Sequence, residues 1–139
     1  MTVSESIINW LYGFNSEEFW SMPKIDTDLQ GAKVDSFSLI KEPVQNVKSY
    51  VSGRKVYTEH YMIRARLSSN LDIERIENLG FGEALEEYVK TKNLAEEYPN
   101  IPDAKVRSIG VTTPFYLGVT ENNNSIYQMT IAIQYEKEK

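Results

Sequence analysis

The sequence predicts an α+β fold. A single domain over residues 1–139 would pack a mainly antiparallel sheet of about five strands against two helices, in the order α-β-β-β-α-β-β. Three observations point there. Two stretches, VYTEHYMIRARL at 56–67 and SIYQMTIAIQYE at 125–136, alternate in character with the period of two of a half-buried strand. Two others, near the start and over residues 70–92, space apolar residues at the intervals of an amphipathic helix. The length of 139 residues, 41% hydrophobic and 25% charged, matches one domain with a core of its own.

The first helix lies in MTVSESIINWLYGF. Thr2 and Glu5 have capping-box spacing, Ile7, Ile8 and Leu11 form an apolar stripe, and Asn15 stands just beyond. Residues 15–31 read as a turn-rich connection pinned by Phe19 and Trp20. Residues 33–41 form a strand closed by Pro43, and a hairpin follows, VQNVKSYV and RKVYTEHYMIRARL around a two-residue Ser52-Gly53 turn.

In the second hairpin strand Tyr57, Tyr61, Ile63, Ala65 and Leu67 occupy one face. Thr58, His60, Arg64 and Arg66, among Val56 and Met62, occupy the other. The second helix runs from about Asn70 to Lys92, with Ile73 and Ile76 on one stripe and Phe81, Ala84, Leu85 and Tyr88 on another. Gly80 and Gly82 lie where the stripe changes; a kink or a close approach to the sheet would explain them, since each costs about 1 kcal/mol relative to Ala in a helix interior. Pro99 and Pro102 end the helical region. Residues 104–112 and 125–136 are the last two strands, with TPFYLGVTENNN as a loop between them. In the final strand Tyr127, Met129, Ile131, Ile133 and Tyr135 share the core face.

Composition narrows the chemistry. With no cysteine, disulfides, zinc-thiolate sites and thiol catalysis are excluded. A net charge of -5 argues against a nucleic-acid backbone as the main partner. No apolar run reaches the length of a membrane span, and the start lacks the basic region and cleavage site of a signal peptide. His60 is the only histidine; its neighbour Glu59 points to the opposite face, so a solvated or interface role outweighs a catalytic one. The stretch Asp26-Thr27-Asp28-Leu29-Gln30-Gly31 opens like a calcium loop, but its twelfth position is Phe37 where a glutamate is needed. The carboxylates of the second helix (Asp72, Glu74, Glu77, Glu83, Glu86 and Glu87) read as a solvated face. Gly80-Phe81-Gly82 lacks the further glycine of a phosphate loop. These readings assign no catalytic residue, no metal ligand and no cofactor.

Charge is unevenly distributed. Arg54, Lys55, Arg64 and Arg66 cluster on the hairpin while the second helix is acidic, which suits either contact between copies or neutralisation within one chain.

Taken whole, the sequence resembles the small tail-terminator, or minor capsid, proteins of siphophages and prophages of Gram-positive bacteria. The resemblance rests on SIINWLYGF, on VYTEHYMIRARL running into IERIENLGFGEALEEYV, and on IGVTTPFYLGVTENNNSIYQMTIAIQYEKE. It implies a non-enzymatic virion protein, made in the host cytoplasm, that caps the head-proximal end of the tail tube. Its partners would be its own copies in a ring, commonly a hexamer, the major tail tube protein and a head-completion or connector protein, with no nucleic acid and no membrane. Free in solution it would be a monomer or weak oligomer. Arg54, Arg64 and Arg66 are then the candidate interface residues. Two alternatives stand beside this reading: another head- or tail-completion protein of the virion, or a small-molecule-binding domain.

Overall fold

The computed structural model describes residues 2–16, 25–27, 36–68, 72–121 and 124–138. Helix α1 (Val3–Leu11) starts on the expected capping box: the Glu5 N–H donates to Thr2 Oγ1 at 3.1 Å and the Thr2 N–H to Glu5 Oε1 at 3.3 Å. A 3-10 turn (Tyr12–Ser16) continues it. Strands β1 (Ile25–Thr27), β2 (Ser36–Ser49) and β3 (Arg54–Ser68) precede helix α2 (Asp72–Leu94), and β4 (Lys105–Glu121) and β5 (Asn124–Glu138) close the chain. The five strands form one sheet in the order β1-β2-β3-β5-β4, antiparallel throughout except for the parallel pair β1–β2.

The α+β class and element order agree with the sequence reading, but three details differ. Pro43 does not close a strand. It lies inside β2, at a register shift between Lys41 and Gln45. Among the described residues β1 pairs with Phe37–Leu39 alone, so the rest of β2 is an edge there, where a missing N–H costs no ladder bond. The two strands expected before β3 are thus one long strand, and the additional strand is β1. The hairpin turn has three residues rather than two: Gly53 N–H donates to the Tyr50 carbonyl at 3.0 Å, and Gly53 takes φ 91°, which glycine adopts without strain. Finally, TPFYLGVT is not a loop but the second half of β4. With four register shifts along β4, its buried residues among those described are Val106, Ile109 and Phe115, a spacing that hides the period of two.

Both helices lie on one face of the sheet. Ile7, Leu11 and Phe14 meet Phe37 and Leu39 of β2, and Phe81, Leu85 and Val89 of α2 meet β3, β5 and β4. Tyr127, Met129, Ile131, Ile133 and Tyr135 all point into this core, as their alternation predicts. Gly82 shows why α2 carries a glycine here. A Cβ at that position would lie 2.1 Å from Cδ2 of Phe115, so the helix backbone rests directly on that ring. Phe115 in turn stacks on Tyr127 with ring centroids 5.1 Å apart.

Candidate interaction surface

The register sets out the sheet face opposite the helices as cross-strand rows. Arg64 of β3 pairs with Ser38 and Gln128, Met62 with Ile40 and Thr130, His60 with Ala132, Thr58 with Asn46 and Gln134, and Val56 with Lys48 and Glu136. Among the described residues no helix covers this face, and most of its side chains, His60, Met62, Arg64 and Arg66 included, are half-buried by their neighbours. Amides and hydroxyls tie the rows together. Tyr116 donates to Gln128 Oε1 at 2.7 Å, and Gln134 Nε2 donates to Thr58 Oγ1 at 3.4 Å.

Arg54, Arg64 and Arg66 all belong to this face but do not form one cluster. A strand advances about 3.3 Å per residue, so Arg54 lies roughly 33 Å from Arg64. Arg54 sits 4.5 Å from the Tyr50 ring centroid and 3.7 Å from Glu136, beside the hairpin turn. At the other end Arg64 Nη2 lies 3.8 Å from Met62 Sδ. The buried Nε of each of these two arginines has no hydrogen-bond partner among the described residues. Adjacency in sequence suggested a cluster; the extension of the strand separates it.

Three further features escaped the sequence reading. Around the hairpin end of the open face, Lys48, Tyr50, Thr58, Arg107 and Gln134 line a groove of about 360 Å³ with no acidic residue in its wall. Arg107 reaches it because it occupies a register shift of β4, which sequence alternation does not reveal. On the core face, Glu59 is buried, 2% exposed, where the alternation Tyr57, Tyr61, Ile63 calls for an apolar residue. A charged residue in a core register was the available signal. Lys41 Nζ lies 3.1 Å from its Oε2, Gln45 Nε2 donates to the same oxygen, and the Tyr61 hydroxyl donates to Oε1 at 3.3 Å. Tyr135 also hydrogen-bonds Glu59, and its hydroxyl is pushed well above the usual phenol range, first by burial and then by the adjacent carboxylate.

The third feature is at the β4 edge. Glu86 Oε1 accepts the Phe115 N–H at 2.6 Å, and Asn93 Oδ1 accepts the Ile109 N–H at 3.0 Å, so side chains of α2 occupy the outer backbone donors of this edge strand. Glu86 is therefore a structural ligand of the sheet, whereas Glu83 and Glu87 are exposed as a solvated face would be. Asp72, Glu74 and Glu77 lie in α2, but their side chains are outside the described residues, as is most of the segment that opens like a calcium loop. Among the described residues no group of three His, Cys, Asp or Glu side chains is placed to hold a metal, and no helix is long and apolar enough to cross a membrane.

No protein-family model matches the chain, and no curated protein matches it.

Proposed function

We propose that the protein is a non-enzymatic component of a phage virion: a tail terminator whose copies close into a ring on the head-proximal end of the tail tube and present that ring to the head connector. The observation that carries this reading is the sheet face that, among the described residues, no helix covers. A face that is partly apolar, laced with amides and studded with arginines suits protein contact, because it holds a fixed shape and still offers donors to a partner. The sheet edges support it too. Among the described residues, Pro43 lies in a register shift of the part of β2 that β1 does not pair, Pro114 lies in a register shift of β4, and Glu86 and Asn93 occupy two β4 donors. Copies of such a chain are guided away from open-ended strand pairing and toward contacts made by side chains, which can close.

In this reading Arg64 and Arg66 contribute to contact with a neighbouring copy or the tube protein, and Arg54 acts at a second point on the same face. The test is charge reversal at Arg64. Arg64→Glu should leave circular dichroism and the thermal midpoint within a few degrees of the parent while reducing the fraction of capped tails. Normal capping by the reversed protein would remove this face from the contact.

A further inference from the structure

Two grooves of opposite charge lie on different sides of the chain. The first is the hairpin-end groove on the open sheet face, with Lys48 on one wall, Arg107 on the other and Tyr50 beside Lys48. Among the described residues neither Lys48 nor Arg107 has an ion-pair partner. Glu136 shares the cross-strand row of Lys48, two strands away, but Arg54 faces it at 3.7 Å. The groove therefore keeps an uncompensated positive charge in a chain whose net charge is -5.

The second groove, about 500 Å³, runs between α2 and the β4 edge, lined on the helix side by Glu83, Glu86, Glu87, Lys90 and Asn93 and on the sheet side by residues 109–111. Glu86 is engaged with the Phe115 N–H, and among the described residues Glu83 and Glu87, one helical turn apart, have no hydrogen-bond or ion-pair partner.

We infer that the basic groove at Lys48 and Arg107 receives the acidic α2 ridge, Glu83 and Glu87, of a second copy of this chain. Resting on the ring reading above, the inference names the two surfaces that meet. Charge selects the occupant, since the basic groove repels its own kind and the acidic ridge does the same. Groove-to-groove and ridge-to-ridge contacts are disfavoured, and contact between the groove of one copy and the ridge of another is favoured. A head-to-tail contact uses both surfaces of every copy, and it closes when the rotation between copies divides a full turn. Edge protection keeps this contact from being bypassed by strand addition. Glu86 has a double part: it occupies the Phe115 donor and holds the wall against which the ridge is built.

The absence of cysteine makes the test clean. Lys48→Cys and Glu87→Cys proteins are prepared separately and together, and treated with a short bis-maleimide, both free at high concentration and on capped tails. The expected result is a covalent dimer when the two single variants are mixed, none from either alone, and a ladder from the double variant. In parallel, Lys48→Glu with Arg107→Glu should weaken association by about tenfold or more, and mixing that protein with Glu83→Lys, Glu87→Lys protein should restore a contact. If the parent protein associates but the mixture gives no cross-link, or Lys48→Cys protein cross-links to itself, the pairing is wrong while the ring reading stands. Should the parent neither associate nor form a ring on tails, both are overturned.

Discussion

At Glu59 a carboxylate occupies a place that the strand pattern reserves for an apolar side chain, and the surrounding groups explain how it is held. Lys41 lies within ion-pair distance of one oxygen, and Gln45, Tyr61 and Tyr135 supply donors. Removing the carboxylate returns the half-exposed Lys41 ammonium to water at little cost, but it leaves buried hydroxyls without an acceptor, each worth about 1–3 kcal/mol. Glu59→Ala should therefore lower the unfolding free energy by about 2–4 kcal/mol in a urea titration, and Glu59→Gln, which keeps an acceptor oxygen, by less. Equal loss in both would show that the charge, and not the hydrogen bonds, matters. Tyr135 gives a pH dependence whose sign is fixed. Its folded pKa is raised above the ordinary 10.0, so the unfolded chain releases this proton first. The resulting stability is complete below about pH 10 and declines as pH rises beyond it. Tyr135→Phe should flatten that alkaline decline, measured as the midpoint of urea unfolding against pH; an unchanged slope would contradict the assignment.

Among the elements, those whose pattern is dominated by packing against one face could be read from the sequence. The capping box, the Phe81–Leu85–Tyr88 stripe and the alternation of residues 127–135 each answer to a single regular contact. What could not be read was the second half of β4 and the joining of β2 through Pro43, for a common reason. Register shifts at the sheet edges break the period of two, and edge position makes proline tolerable, so two signals that normally exclude a strand both misled. Ile131 is fully buried on the well-patterned strand, and Ile131→Ala should cost about 2–5 kcal/mol. Gly82→Ala separates local preference from packing. Alanine favours the helix by about 1 kcal/mol, yet its methyl group would collide with the Phe115 ring. A net loss of about 1–3 kcal/mol in thermal or urea unfolding is expected, and a gain would mean that Phe115 swings aside freely.

For the whole molecule, the uneven placement of charge was visible in the sequence, but its geometry was not. Arg54, Arg64 and Arg66 appeared as one cluster because they share a strand, and only the extended backbone shows them as two separate sites. Lys48 and Arg107, about 60 residues apart along the chain, line one groove although two strands lie between theirs in the sheet, a placement that no local pattern encodes. Interrupted edges, a sheet face that no helix covers among the described residues, and two oppositely charged grooves fit the proposed ring better than a fibre. The most direct test is electron microscopy of tail tubes assembled from the tube protein of the same genome, with and without this protein. Tubes of limited length bearing a ring at one end, against tubes of unlimited length without it, are the predicted result. Tubes that grow equally in both samples, with the protein left unbound in solution, would contradict the account.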